Sequence, residues 1–169
     1  PLVECTSVPD LKEKLKDRKV FVTPHHMGYQ GGYRGYNWDA FTDNDPQLPF
    51  VEMFSRHGLA EGDMGDYDYL HDMGPRVWEG TVQYGLEQGH KFGLMCSTDQ
   101  HAGYPGSYGD GRIGVLAANL DRESLWDAMS RRKVCGVTGD KIKIDFRVNG
   151  ATMGDEIKAG KREIMLAVE

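Results

Sequence analysis

Three short apolar runs in this chain each contain, or stop just before, side chains that bind metals in proteins. Runs of this length and composition predict β-strands. In a largely parallel sheet the carboxyl ends of neighbouring strands lie on one side, where α/β proteins place their active sites. The runs and their side chains are residues 19–23 with His25 and His26, residues 50–54 with Glu52 and His57, and residues 92–96 with Asp99 and His101. We therefore expect these side chains to converge in space.

The order of the predicted elements indicates an α/β fold over most of the chain. Strands alternate with amphipathic helices, a pattern that favours a mostly parallel sheet or a barrel. Asp121 is the expected N-cap of the last helix. The helices are predicted at residues 11–18, 77–88 and 121–133.

After the last of these helices, strand-like runs no longer alternate with predicted helices. The remaining runs are short and strand-like, and Asn149-Gly150 is a turn signal between two of them, so this part is predicted to be antiparallel. We place a boundary near residue 139. It separates a metal-binding domain over residues 1–139 from a short antiparallel β segment over residues 140–169. The further strands are predicted at residues 113–118, 134–138, 142–148 and 163–168.

The charge and the apolar content exclude several classes of protein. The chain of 169 residues has 20 basic and 26 acidic side chains, a formal charge of -6 and no cluster of five or more basic residues. We expect no nucleic-acid partner, because binding to the phosphate backbone relies on Lys and Arg. No apolar run approaches the ~20 residues of a membrane-spanning helix. These exclusions favour a small-molecule substrate.

The number and spacing of the cysteines indicate whether the chain works in a reducing or an oxidising compartment. Cys5, Cys96 and Cys135 are an odd number without a CxxC pair, so they predict neither a disulfide framework nor a thiolate zinc site. A reducing compartment such as the cytoplasm is favoured. Because the chain opens with Pro1 rather than Met, the sequence leaves the localisation open.

The chemistry of the converging side chains points to a divalent metal. Asp99 and His101 are separated by one residue, so in an extended segment they leave the same face. Imidazole and carboxylate ligands together suit zinc, manganese or iron better than calcium. His25 and His26 are neighbours, and a straight strand would point only one of them into the site.

Other side chains have more than one possible role. An unpaired carboxylate at Glu52 would be costly inside an apolar run, so a metal or an Arg partner is expected there. His57 is either a ligand, a general acid or a surface residue. Arg112 and Arg34 follow ligand-bearing runs in glycine-rich loops, and each is a candidate for holding an anionic substrate.

Four motifs in this order resemble a known superfamily. They are PHH at 24–26, VEMFSRHG at 51–58, STDQH at 97–101 followed by GYPGSYGDGR, and LWDAMSRRKVCGVTGDKIKIDFRVNG at 125–150. Together they resemble the C-terminal half of a PHP-superfamily protein, in particular the DUF3604 group related to the PHP phosphoesterases. The resemblance implies part of a distorted (β/α)7 barrel, which is TIM-like, that binds two or three divalent ions at its strand ends. It implies metal-binding roles for His25 or His26, Glu52, Asp99 and His101.

One departure from that superfamily concerns its first strand. The superfamily opens with an HxH motif, and this sequence contains none. We therefore expect the chain to be a fragment with an incomplete metal site, which can leave it inactive alone, and to cover an exposed sheet edge by self-association.

The leading functional hypothesis is metal-dependent hydrolysis of a phosphoester by the full-length protein, with a small phosphorylated molecule as substrate. His25, His26, Glu52, Asp99 and His101 would serve the metal, while His57 would act as a proton donor and Arg112 as a substrate anchor. Two alternatives remain open. One is metal-dependent hydrolysis of a C–N or C–O bond, and the other is a non-catalytic binding module that a metal stabilises.

Overall fold

The computed structural model of this chain describes residues 3–62, 74–107 and 110–169. Most of the acidic stretch at 61–74 and part of the glycine-rich loop at 103–114 lie outside these ranges. Within the described ranges, no helix has the length and apolar character needed to cross a bilayer.

A small sheet at the centre of the molecule has the strand order β2-β1-β3. Strands β1 and β3 run parallel, with Phe50 opposite Gly93 and Glu52 opposite Met95. Strand β2 returns antiparallel to β1 immediately after Ser55. The three strands are β1 (Phe50–Ser55), β2 (Gly58–Leu59) and β3 (Gly93–Cys96). The predicted strands at 50–54 and 92–96 are therefore confirmed.

The first predicted strand, residues 19–23, is not a regular strand in the structure. The segment nevertheless runs beside β1, because the backbone N–H of Glu52 donates to the carbonyl of Pro24 at 3.3 Å. This contact brings the start of the His25-His26 pair to the level of Glu52.

Three short helices each begin at a side chain that accepts a hydrogen bond from the first turn. Ser7, Thr81 and Asp121 are the N-caps, and Asp121 confirms the sequence prediction. The second helix is shorter than predicted, because residues 78–80 form a separate 3-10 turn. The helices are α1 (Val8–Leu15), α2 (Val82–Glu87) and α3 (Arg122–Ser130).

In the described ranges, two antiparallel pairs of strands make up the rest of the sheet structure. The β4-β5 pair places Ile113 opposite Gly136, and β5 packs beside β3. The β6-β7 pair confirms the predicted antiparallel strands of the final segment. The boundary near residue 139 stays a prediction. The strands are β4 (Arg112–Val115), β5 (Val134–Val137), β6 (Ile144–Val148) and β7 (Ile164–Val168).

The prediction of a partial (β/α)7 barrel, and with it a TIM-like architecture, was wrong. Over the described residues the strands form one sheet of three and two sheets of two, with only three short helices and no closed barrel. In a barrel of this type a helix follows each strand and leads to the next parallel strand. Here the two-residue strand β2 follows β1 instead, and Gly58 permits the reversal with a φ of 107°.

The main core lies between the loop after His26, β1 and α2. Trp38 is 2% exposed and its indole N–H donates to the carbonyl of Thr81 at 2.9 Å, so its one polar atom is satisfied. This packing fixes the loop that follows the His25-His26 pair. The buried members of the core are Met27, Tyr29, Trp38, Phe41, Leu48, Val51, Ala60 and Val82.

Candidate metal centre

Three chain segments deliver histidine and acidic side chains to one edge of the central sheet. The segment beside β1 ends at His25 and His26, β1 is followed by His57, and β3 is followed by Asp99 and His101. The backbone N–H of Ser97 donates to the carbonyl of Phe54 at 2.9 Å, which continues the alignment of β1 and β3 toward the cluster. We call His25, His26, His57, Asp99 and His101 the His/Asp cluster.

Asp99 lies at the centre of the His/Asp cluster. Its Oδ2 atom is 2.8 Å from Nε2 of His57 and 3.4 Å from Nε2 of His25. Its Oδ1 atom is 3.2 Å from Nε2 of His101. One carboxylate therefore contacts imidazoles that arrive from three different segments.

The Asp99 carboxylate has unused acceptor capacity. Its side chain is only 15% exposed, and within the described part of the chain its buried Oδ2 atom accepts no hydrogen bond of acceptable geometry. The closeness of His57 Nε2 is thus a short contact with poor hydrogen-bond alignment. A buried carboxylate oxygen without an aligned hydrogen bond lowers the stability of the folded chain unless a cation or a further donor satisfies it.

His26 and Asp99 adopt left-handed backbone conformations, with φ values of 58° and 44°. Non-glycine residues seldom do so, although Asp tolerates this region better than most. The turn at His26 breaks the alternation of a straight strand. As a result the rings of His25 and His26 lie 3.8 Å apart, and both face the His/Asp cluster. The sequence argument for only one of the two assumed a straight strand, and the turn at His26 removes that assumption.

Two overlapping groups within the cluster have the composition of a metal site. The first consists of His25, His26 and Asp99, and the second of His57, Asp99 and His101. In each group the candidate ligand atoms lie within 4.8 Å of one another, and Asp99 belongs to both. Neutral imidazoles and a carboxylate are the ligand set of zinc, manganese and iron, so the donors present fit a divalent ion.

Glu52 belongs to neither group. It is 9% exposed, and its Oε1 atom lies 2.8 Å from Nδ1 of His25. The hydroxyl of Ser97 donates to its Oε2 atom at 2.6 Å. Hydrogen bonds with two partners thus offset the cost of burying this carboxylate. Glu52 contacts His25, which is a candidate ligand, but it is not itself a member of either metal-type group. Ser97 was not among the predicted site residues, although it opens the STDQH motif directly after a predicted strand.

The histidine nearest Glu52 holds its proton more strongly than usual. Burial lowers the pKa of His25, but the hydrogen bond that its ring donates to Glu52 and the negative charges of Glu52 and Asp99 outweigh it, and the net shift is upward. A metal at Nε2 must therefore compete with a proton at this position.

The two histidines on the other side of Asp99 shift in the opposite direction. Burial lowers the pKa of His26 most, and the charges of His25 and His57 lower it further, with a smaller effect of Arg34. Burial also lowers the pKa of His57, against the opposing charge of Asp99. Both rings are therefore held in the neutral form that binds metals.

Arg112 occupies a structural position. Its guanidinium donates to the carbonyl of Gly139 at 2.8 Å and to that of Ser107 at 3.2 Å, and so ties the glycine-rich loop to the end of β5. It belongs to neither metal-type group. Arg34 and Arg56, both exposed, are the cations whose charges act on His26 and His57.

The His/Asp cluster lies at an open surface. A cavity of about 490 Å³ between β3, β5 and β6 is lined mainly by apolar side chains and by no member of the cluster. The cavity beside His26 and Glu52 has a volume of only about 10 Å³. His101 is 70% exposed, so a ligand can reach the cluster from solvent.

Comparison with known proteins gives relatives without a known function. No protein-family model and no solved structure matches the chain. An uncharacterised protein of Chlamydia trachomatis is 24% identical over 139 residues, which covers 73% of this chain and 21% of the relative. An uncharacterised protein of Chlamydia pneumoniae is 29% identical over 91 residues, which covers 49% of this chain and 15% of the relative.

The chain thus spans about a fifth or less of the length of these curated relatives. Neither relative adds a function. The resemblance to the PHP superfamily stays a prediction from the motifs.

Proposed function

We propose that the His/Asp cluster binds one or two divalent ions of the zinc, manganese or iron type, and that the protein uses them to hydrolyse phosphoesters. The observation that carries this proposal is the position of Asp99. Its buried, under-satisfied carboxylate lies between imidazoles from three segments. An apo cluster of this kind stabilises the fold poorly, whereas a cation would satisfy the carboxylate and the imidazole lone pairs together.

The number of available ligand atoms supports a catalytic rather than a closed structural site. Each of the two groups offers three protein ligands. Structural zinc sites are normally closed by four protein ligands, whereas catalytic sites leave a position for water or substrate. When bound, the ion supplies Lewis-acid polarisation of a phosphoryl oxygen and activation of water.

The charges around the cluster support an anionic substrate. Arg34 is on the side of His26 and Arg56 on the side of His57, and both are exposed. Guanidinium groups suit phosphate because they donate in a planar fork. Arg112 is engaged by backbone carbonyls, so we assign substrate anchoring to Arg34 and Arg56 and give Arg112 the role of holding the loop.

His57 has the environment expected of a proton donor or a ligand. Its side chain is 16% exposed and its Nε2 atom contacts Asp99. Burial holds the pKa of His57 below its ordinary value, although the charge of Asp99 opposes this shift. The neutral ring suits the role of a ligand, and a donor role requires that His57 first takes up a proton during the reaction. In that donor role Asp99 orients the ring.

A metal-stabilised binding module is the second candidate. It is favoured by the fact that the cluster joins segments far apart in sequence, from His25 to His101, so a metal there would hold the central sheet together. The two candidates differ in turnover, and both require the metal.

The test is a turnover assay on the chain after loading with zinc, manganese or iron(II). The substrates are p-nitrophenyl phosphate, bis(p-nitrophenyl) phosphate and p-nitrophenyl acetate, and the variants are His57→Ala and the matched surface control Asp145→Asn. The proposal predicts metal-dependent release of p-nitrophenol from a phosphate substrate, lost in His57→Ala and kept in Asp145→Asn. Faster cleavage of the acetate would favour C–O hydrolysis, and metal binding without turnover would favour the binding module.

A further inference from the structure

We propose that Ser97 is a positioning residue for His25 and that it acts through Glu52. The hydroxyl of Ser97 holds one oxygen of the Glu52 carboxylate, and the other oxygen accepts the Nδ1 proton of His25. This arrangement leaves Nε2 of His25 as the atom that faces Asp99. The inference rests on the proposed function, because the orientation of His25 matters only if the His/Asp cluster binds a metal. The hydrogen bonds of Ser97 and His25 to Glu52 do not depend on an ion.

The distances define two linked hydrogen bonds, which Ser97 and His25 make to the same Glu52 carboxylate. Ser97 Oγ lies 2.6 Å from Oε2 of Glu52, and Oε1 of the same carboxylate lies 2.8 Å from Nδ1 of His25. Nε2 of His25 then lies 3.4 Å from Oδ2 of Asp99. An ionised carboxylate only accepts hydrogen bonds, so both Ser97 and His25 are the donors.

The backbone hydrogen bonds of β1 and β3 fix the positions of Glu52 and Ser97 relative to each other. Glu52 is on β1 and pairs with Met95 of β3, while the Ser97 N–H donates to the carbonyl of Phe54 at 2.9 Å. The Glu52 side chain is only 11% exposed. Water therefore competes poorly for the carboxylate, and charge-assisted hydrogen bonds at such a site are strong.

The two linked hydrogen bonds select one tautomer of the His25 ring. Neutral imidazole carries its proton on one nitrogen, and the hydrogen bond at that nitrogen decides which one is free to bind a metal. The contact of Nδ1 with Glu52 at 2.8 Å is shorter than that of Nε2 with Asp99 at 3.4 Å. The proton is therefore placed on Nδ1, and the lone pair at Nε2 is directed into the His/Asp cluster.

Ser97 also keeps Glu52 out of the ligand position. Without the hydroxyl, Oε2 would lose the hydrogen bond from Ser97, and the carboxylate would gain freedom to rotate away from His25. That is why we assign positioning to Ser97 rather than to Glu52 alone.

The experiment has two measurements, and the first needs no metal. Imidazole 15N shifts of the metal-free chain, recorded where His25 is neutral, report its tautomer in the wild type, Ser97→Ala and Ser97→Thr. We expect the Nδ1–H tautomer in the wild type, a mixture of tautomers in Ser97→Ala, and recovery in Ser97→Thr, which keeps a hydroxyl. Ser124→Ala is the matched control, because the hydroxyl of Ser124 also donates to a carboxylate, Asp121, at 2.9 Å.

The second measurement is a calorimetric titration with Zn²⁺. Ser97→Ala should weaken binding by about 10- to 100-fold without changing the stoichiometry, and the Ser124→Ala control should bind as the wild type does. An Nε2–H tautomer in the wild type, or a tautomer that does not change in Ser97→Ala, would overturn the inference. If the wild type shows the expected tautomer but takes up no ion, the metal proposal fails while the positioning by Ser97 stands.

Discussion

The Oδ2 atom of Asp99 lies 2.8 Å from Nε2 of His57, yet it accepts no properly aligned hydrogen bond within the described residues. The two residues follow different strands of the central sheet, β3 and β1. A pair of polar atoms held this close without alignment gains little from the contact itself. A cation that both atoms bind would turn the same geometry into a favourable one.

This relationship predicts that a divalent ion stabilises the fold. An ion that binds only the native chain adds about 2.7 kcal/mol to the free energy of unfolding when its concentration is a hundred times the Kd. We expect the melting temperature to rise with Zn²⁺ concentration in the wild type. In His57→Ala the rise should be much smaller. Differential scanning fluorimetry measures both, and equal rises in the two proteins would remove His57 from the ion's surroundings.

Gly85 in α2 provides a test of the core. In an open helix, Ala in place of Gly would stabilise by about 0.5–1 kcal/mol. Here a Cβ at Gly85 would overlap the indole ring of buried Trp38, so we expect Gly85→Ala to destabilise by about 1–3 kcal/mol. Urea unfolding measures the difference. Gly160→Ala is the control, since no atom lies within 4 Å of its added Cβ, and stabilisation by Gly85→Ala would contradict the packing described.

Cys96 gives a pH-dependent prediction. Burial, and to a lesser extent the charge of Glu52, raise the pKa of its thiol from 9.0 to about 12. In the unfolded chain the thiol loses its proton near the ordinary pKa, so the stability it contributes is complete below pH 9.0 and declines as the pH rises toward about 12.

The loss within that window should approach about 1.4 kcal/mol per pH unit. Cys96→Ala, in which the titrating group is absent, should lose less stability over the same range. Urea unfolding of both proteins at neutral and alkaline pH measures the difference between them. Parallel loss of stability in the two proteins would show that Cys96 ionises as readily in the folded chain as in the unfolded one.

Strand β7 predicts self-association. Ile164, Leu166 and Val168 are 64%, 61% and 62% exposed, and over the described residues β7 pairs only with β6. An exposed apolar edge strand is a template for pairing with another chain. We expect the mass from light scattering to rise with concentration, and Leu166→Lys to suppress the rise. Leu120→Lys is the control, because Leu120 is 94% exposed but lies outside any strand, and a constant monomer mass for the wild type would contradict the prediction.

Local signals in the sequence were sufficient to predict several secondary-structure elements. The apolar runs at 50–54 and 92–96 are strands, and Asp121 caps a helix, because these features depend on nearby residues. The cost of burying Glu52 predicted a metal or an Arg partner, and the structure instead supplies Ser97 and His25.

Long-range packing explains what the sequence did not reveal. The helix predicted over residues 77–88 begins only at Val82, because Gly80 lies against the backbone of Gly28 and Tyr29 in a 3-10 turn. The left-handed turn at His26 and the return of β2 at Gly58 are single-residue backbone events that periodicity does not detect. These events bring both His25 and His26 to the cluster and replace the barrel with small sheets.

The most direct test of the account is the metal content of the purified chain by inductively coupled plasma mass spectrometry. Wild type, Asp99→Asn and the control Asp145→Asn are compared after the same exposure to zinc, manganese and iron(II) and the same dialysis. Asp145 is an exposed carboxylate on β6, paired with Arg147. We expect a near-stoichiometric ion in the wild type and the control, and a metal content far below stoichiometric in Asp99→Asn, because the variant loses a charged ligand that both groups share. Equal metal content in all three proteins, or none in the wild type, would contradict it.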